Sequence, residues 1–236
     1  MPKIAVVTGA GSGVGQAVAW ALAKKDWVVA ILGRRESALR ETIAKAGSFA
    51  SRLHPYPCDI SNEGAVNAMA ADVLKKLGPV DALVNAAGTN ITDRSLAKMN
   101  MQGYREIIET NLTGTFHCVL AFLPTMRQRG RGTIVNIISD AGVLANAKAG
   151  AAYVASKFAV TGLTQAINCE ERGNGIRACA ICPGDINTPL LNRRATPPTP
   201  EARAQMLQPE DLAACVMLQL ELPDRAVIEQ MLIRPK

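Results

Sequence analysis

Tyr153-Val154-Ala155-Ser156-Lys157 sets a phenol four residues ahead of an ammonium. On a helix, side chains at i and i+4 share one face, so the two groups point the same way. A free phenol has a pKa of about 10, and a nearby cation favours its ionised form. Such a tyrosine can exchange protons near neutral pH. Ser139 lies upstream, and its hydroxyl could hold a substrate oxygen and stabilise developing charge. A tyrosine and a lysine that merely share a solvated helix face would show the same spacing.

A second stretch reads as a phosphate cradle. Thr8-Gly9-Ala10-Gly11-Ser12-Gly13-Val14-Gly15 follows the apolar run Ile4-Ala5-Val6-Val7 and precedes helical spacing at Val14, Val18, Ala21 and Leu22. Apolar strand, glycine turn and amphipathic helix in that order present free N–H groups and a positive helix end to an anion. Gly9 can turn tightly, Gly13 lets a pyrophosphate approach the backbone, and Gly15 lets the helix pack on the strand. Glycine-rich turns also occur with no ligand. At the end of the second strand, where an acid would bind a ribose 2′-hydroxyl, the chain reads Gly33-Arg34-Arg35. Two guanidinium groups suit a 2′-phosphate, which favours NADP(H) over NAD(H). Alternatively, one arginine stacks on the adenine and the other is solvated. Glu36 is expected to open the next helix.

These residues need elements to position them. Apolar runs predict strands over residues 3–8, 27–32, 53–57, 82–85, 133–138, 177–182 and 227–233. Helical patterns fill the gaps at 13–25, 36–46, 63–77, 103–129, 151–172 and 209–220, and the segment 103–129 is open to division near Thr110 and Asn111. Val- and Ile-rich strands without clean alternation suit a parallel sheet covered on both faces. The expectation is a single α/β domain over residues 1–236: a doubly wound, Rossmann-type, seven-stranded parallel sheet with helices on both faces. The chemistry-bearing residues then fall at strand ends: the glycines after the first, Arg34 and Arg35 after the second, Asp59 after the third, Asn85-Ala86-Ala87-Gly88 at the fourth, Ser139 at the fifth, and Pro183-Gly184 at the sixth. Ligands of open parallel sheets bind beyond those ends.

The totals exclude several classes. With 236 residues and 48% hydrophobic content, the chain can bury one sizeable core. Its longest apolar runs, 27–32 and 118–123, are too short to span a bilayer. The N-terminus enters a strand almost at once, which reads as no signal peptide and a cytoplasmic protein. The six cysteines do not form a disulfide framework pattern. Cys179 and Cys182 have redox spacing, but strand alternation sends them to opposite faces. His54 and His117 lack metal-ligand partners nearby, so no metal is expected. The net charge of +6 comes with few aromatics and no recognition motif, which argues against a nucleic-acid partner.

Taken together, these motifs resemble the short-chain dehydrogenase/reductase family over essentially the whole chain. The resemblance is carried by the glycine stretch Thr8 to Gly15, Cys58-Asp59-Ile60, Asn85 to Gly88, Asn111, Ser139-Asp140-Ala141-Gly142, Tyr153-x-x-x-Lys157, and Pro183-Gly184 followed by Thr188. It implies an enzyme moving a hydride between NADP(H) and a small carbonyl or secondary alcohol, such as a ketone or a 3-oxo or 3-hydroxy acid. Tyr153 would be the acid for reduction and the base for oxidation. Lys157 would hold the nicotinamide ribose and depress the tyrosine pKa, and Ser139 would bind the carbonyl oxygen. Asn111 would fix a water in the proton relay; the same amide could instead kink or cap a helix. Gly9, Gly11, Ser12, Gly13, Val14 and Gly15 would hold the pyrophosphate, with Arg34 and Arg35 on the 2′-phosphate. Asp59, with Ile60, would meet the adenine, although Asp59 could equally cap the next helix. Asn85, Ala86 and Gly88 would line the cofactor groove, and Pro183, Gly184, Ile186 and Thr188 would cover the nicotinamide.

Two departures stand out. Ala86 replaces a frequent Asn, which puts one local contact in doubt. The gap from Ser139 to Tyr153 is about one residue longer than in common members, with the extra residue expected in the loop 143–150. Substrate lining is expected from 89–96, 140–149 and 187–205, with a proline-rich lid at about 187–208. Arg193-Arg194 could attract an anionic substrate or belong to a solvated loop. The C-terminal stretches 210–213 and 222–235 resemble relatives acting on small 3-hydroxy acids and hydroxy amino acids. The family implies a homodimer or homotetramer through 103–129 and 151–172, where Phe116, Val119, Leu120, Phe122, Phe158, Val160 and Leu163 also suit core packing. The other reading is a non-catalytic dinucleotide sensor or scaffold; retention of Asn111, Ser139, Tyr153 and Lys157 weighs against it.

Overall fold

The computed structural model describes residues 2–236. Strands β1 (Ile4–Thr8), β2 (Val28–Gly33), β3 (Leu53–Pro57), β4 (Ala82–Asn85), β5 (Gly132–Ile137), β6 (Ile176–Pro183) and β7 (Gln230–Ile233) form one sheet. Every neighbouring pair is parallel, and the order is β3-β2-β1-β4-β5-β6-β7. The chain runs outward from β1 to β3, then returns to β4 on the other side of β1, so the direction of winding reverses between β1 and β4. Helices α1 (Gly13–Lys24), α2 (Glu36–Ala44), α3 (Glu63–Lys76), α4 (Met101–Ile108), α5 (Gly114–Arg129), α6 (Ala151–Glu171), α7 (Pro200–Ala204) and α8 (Pro209–Glu221) surround the sheet.

Successive residues of β1 show why the strands read as unbroken apolar runs. Ala5 and Val7 enter one core with Val18 and Leu22 of α1 and Leu212 and Val216 of α8. Ile4 and Val6 enter a second core with Phe122 and Met126 of α5 and Ile167 of α6. Both faces are dry, so neither can be polar. Cys179 and Cys182 separate as alternation requires, Cys179 into the first core and Cys182 into a third cluster beside Ile138 and Val160.

The segment 103–129 divides where the sequence leaves it open to division: α4 and α5 are joined by a π-helical turn, Glu109–Thr113, that contains Thr110 and Asn111. Two other stretches differ from the sequence expectation. β7 begins at Gln230, not 227, because the chain before it is held in a loop by Arg177, whose Nη1 donates to Pro223 O at 2.8 Å and Ala226 O at 2.6 Å. The excursion 187–208 contains a 3-10 turn, Pro189–Arg193, and the short α7. Its two ends are tied together: Asn187 N donates to Leu207 O, and Leu207 N to Asp185 O.

Candidate active site

The carboxyl ends of the strands surround one cleft of about 840 Å³. Gly9, Ser12, Gly13 and Val14 reach it from the β1–α1 turn, Arg34 and Arg35 from the end of β2, and Asp59 and Ile60 from the end of β3. Ala86 and Gly88 line it after β4, Ser139 after β5, and Pro183, Gly184, Ile186 and Thr188 at and after β6. Tyr153 and Lys157 face the same space from α6. Gly15, Asn85 and Asn111 do not line it, and Gly11 lines a second, neighbouring groove instead.

The glycine turn is built for close approach. Gly9 (φ +67°) and Gly13 (φ +54°) are left-handed, a region that disfavours any side chain. A Cβ on Gly15 would lie 2.5 Å from Gly9 O and 2.8 Å from Thr8 O, so only glycine lets the start of α1 close onto the turn. Ser12 precedes α1 with extended backbone and no side-chain cap, which leaves the first N–H groups of α1 open. Thr8, fully buried, accepts from Ala86 N and Ala87 N, each at 3.0 Å. That hydroxyl holds the β4 turn where the expected second amide is missing.

Asn85 serves the sheet. Its Nδ2 donates to Asn136 Oδ1 at 2.9 Å, and Asn136 Nδ2 donates to Thr164 Oγ1, which ties β4, β5 and α6 together. Asp59 does not cap α3; that role falls to Asn62, whose Oδ1 accepts from Ala65 N. Asp59 instead accepts from Ser61 N and Ser61 Oγ and remains on the cleft wall.

The proposed reaction groups come together. Lys157 is almost fully buried; its Nζ lies 5.5 Å from the Tyr153 ring centroid and donates to Ile137 O at 3.2 Å. Ser139 Oγ donates to Asp140 Oδ1 and accepts from Ala141 N. A Cβ on Gly88 would lie 3.6 Å from both Lys157 Nζ and Asn111 Oδ1. Asn111 sits in the π-turn with its amide fully engaged: Oδ1 accepts from Thr89 N at 2.7 Å, while Nδ2 donates to Thr89 O and Ser156 Oγ.

Electrostatics here differ from the picture of a phenol acidified by Lys157. Burial pushes Tyr153 up to about 12; Ser139 and the guanidinium groups of Arg94 and Arg194 pull it down, while Asp140 adds to the rise. Burial lowers Lys157 to about 8. The lysine nitrogen lies over the ring and is turned to Ile137 O, so desolvation prevails.

Arg193 is exposed and Arg194 partly buried, but both side chains are paired. Arg193 Nη1 donates to Thr89 Oγ1 at 2.6 Å and pairs with Glu106 at 3.3 Å; Arg194 pairs with Asp185. Lys148 shares that aspartate. The loop after Ser139 runs along the cleft, which Asn146, Lys148 and Ala149 line. Sequence reasoning did not single out Arg94, Asp185 or Arg234 within this wall. Arg94 had one available signal: a cation within ten residues of the fourth strand's glycine turn.

The residues present fit a phosphorylated dinucleotide. The open start of α1, left-handed Gly13 and the bare Gly88 leave room for its backbone-side approach. Arg34 and Arg35 are exposed and, among the described residues, form no ion pair; Glu36 is taken by Arg40. Arg35 also lines a second groove of about 440 Å³ with Glu41 and Lys45, so Arg34 is the arginine committed to the main cleft. Among the described residues no helix is long and apolar enough to cross a membrane.

Comparison with known proteins agrees with this geometry. The family model described as short chain dehydrogenase matches residues 3–198. The chain is 38% identical over 191 residues to a 3beta-hydroxysteroid dehydrogenase of Mediterraneibacter gnavus, covering 81% of this chain and 68% of that protein. It is 34% identical over 239 residues to a glycine betaine reductase of Emericella nidulans, covering 99% of this chain but only 19% of that protein's length. Among solved structures, a variant of the actinorhodin polyketide ketoreductase with NADPH superposes with a TM-score of 0.89 at 31% identity, covering 98% of this chain and 95% of that one.

Proposed function

The chain belongs to the short-chain dehydrogenase family, and from that premise we propose that it is an NADP(H)-dependent oxidoreductase acting on a small carbonyl or secondary alcohol. The observation that carries the reading is the meeting of Tyr153, Ser139 and Lys157 on the cleft that the β1–α1 glycines also line. The dinucleotide, when bound, supplies the hydride that the carbonyl carbon accepts. Its pyrophosphate suits the open start of α1, and its 2′-phosphate suits Arg34, flanked by Arg35. Asp59 and Ile60, on the cleft wall, would meet the adenine, and Pro183, Gly184, Ile186 and Thr188 would cover the nicotinamide.

Tyr153 is protonated at neutral pH, as an ordinary phenol would be, and burial raises it further. As the substrate oxygen gains negative charge, that oxygen takes the phenol proton and the alcohol forms. Ser139 turns its hydroxyl from Asp140 to that oxygen and orients it. Lys157 supports the phenolate left behind, and the same groups run backward for oxidation. Asn111, its amide spent on Thr89 and Ser156, is a positioning residue that joins the β4 turn to α6. Residues 187–208 act as the substrate lid, latched by Arg193 onto Thr89 and Asn90.

Exposed Phe116 and Leu120 on α5 and Phe158 on α6 offer a homodimer or homotetramer contact, whereas Val119, Phe122 and Val160 are core; light scattering of the purified protein checks the assembly. The cytoplasm is the compartment this reading implies. The activity itself is tested by following absorbance loss from NADPH and NADH with a panel of ketones, aldehydes and 3-oxo acids. Turnover favouring NADPH is expected, and background rates with every compound would count against an oxidoreductase.

A further inference from the structure

The proton-transfer scheme leaves one charge in the cleft unused. Arg94 is half-buried in the segment after β4, with its stem packed on the entrance to α6. Gly150 (φ +82°) makes that packing possible: a Cβ there would lie 2.5 Å from Arg94 O and 2.8 Å from Arg94 Cβ. Arg94 Nη2 donates to Arg193 O at 2.6 Å, which fixes the guanidinium from its other side.

The neighbouring cations have carboxylate partners. Arg193 faces Glu106, Arg194 and Lys148 share Asp185, and Arg234 approaches Asp140 at 3.6 Å. Arg94 has no such partner among the described residues. It lies instead within electrostatic reach of another cation, Arg194, and of the Tyr153 phenol. A guanidinium held by main chain, desolvated on one side and repelled by a like charge, is an unfavourable arrangement unless an anion completes it. The dinucleotide's phosphates have their own partners at the start of α1 and the end of β2. The segment carrying Arg94 packs on the turn into α6, beside Tyr153.

We propose that Arg94 receives an anionic group, a carboxylate, carried by the substrate a few bonds from its reacting carbonyl, so that the preferred substrates are small oxo acids and the corresponding hydroxy acids. The planar fork of the guanidinium matches a carboxylate and sets which face of the carbonyl meets Tyr153. This inference rests on the oxidoreductase reading for the identity of the reacting group; the anion site itself does not require turnover.

The test compares 3-oxobutanoate with its methyl ester, in the wild type and in Arg94→Gln and Arg94→Lys. Both compounds use the same proton donor, so the acid-to-ester ratio of kcat/KM cancels any change at Tyr153. The ratio should favour the acid in the wild type and fall at least about tenfold in Arg94→Gln, mostly through KM, with part retained in Arg94→Lys. An unchanged ratio, with both compounds weakened alike, overturns the proposal and leaves Arg94 as a strut for the 187–208 segment. Malonate, which has no ketone to reduce, gives a readout free of catalysis. In calorimetry with NADP⁺ present it should bind the wild type and lose at least about tenfold in affinity in Arg94→Gln. Equal binding, or none to the wild type, overturns the site. If malonate binding depends on Arg94 while no carbonyl compound consumes NADPH, the oxidoreductase reading fails and the anion site stands.

Discussion

Lys157 holds an ammonium almost wholly out of water with Ile137 O as its main-chain acceptor, and burial lowers it to about 8. Below about pH 8 both folded and unfolded chains hold that proton, and the fold bears the full cost of burying it, about 3 kcal/mol. Between about pH 8 and 10.5 the unfolded chain binds a proton that the folded chain lacks, so stability rises with pH. Lys157→Met should therefore unfold at higher urea than the wild type at pH 7, and this advantage should close as pH rises through that window. A variant less stable than the wild type at pH 7 would show that the ammonium stabilises the dinucleotide-free fold. At this scale the sequence was informative for Tyr153 and Lys157, because i and i+4 spacing needs only one helix. It placed Arg94 only within the expected substrate lining 89–96, because the residue's particular meaning comes from Gly150, Arg193 and Tyr153 meeting across distant segments. It also overstated the effect of Lys157 on the phenol, since desolvation depends on everything packed around a group and no local spacing records it.

Among the elements, the β1–α1 unit carries the tightest constraint. Gly15→Ala would place a methyl 2.5 Å from Gly9 O, against backbone that cannot rotate away. We expect a loss of about 2–3 kcal/mol in urea unfolding and the failure of NADPH binding read by fluorescence. Retained affinity would mean that α1 can move off the turn without harm. Strands β1, β2 and β4 were legible because both faces of the sheet are buried there and each is close to a plain run of Val, Ile, Leu and Ala. A break near Thr110 and Asn111 was legible as well, but not its π-helical form at Glu109–Thr113, because an apolar stripe reports which side of a helix is dry, and not which carbonyl each N–H chooses. The late start of β7 was hidden for a related reason: Arg177, far away in sequence, takes the carbonyls of 222–226 and keeps that segment out of the sheet.

For the whole molecule, the winding reversal between β1 and β4 brings strand ends from across the chain to one cleft, and each end supplies a different part of it. Cofactor choice is a property of that arrangement. Arg34, without an ion pair among the described residues, should set the preference for a 2′-phosphate, with Arg35 weaker because it also faces the second groove. Arg34→Ala should lower the NADPH-to-NADH ratio of kcat/KM by about tenfold or more, and a ratio left intact would move the phosphate site elsewhere. The order of chemistry-bearing residues at strand ends made this cleft legible, whereas the ion pairs that close its substrate side were not, since they join segments with no common period. The central claim is that the half-buried phenol of Tyr153 on α6 delivers the proton. Its most direct test is the rate of NADPH oxidation at pH 7 with a carbonyl compound the wild type reduces, repeated with Tyr153→Phe under conditions where NADPH is shown to bind. A loss of about a hundredfold or more is predicted, whereas a rate within a few-fold of the wild type would contradict the account.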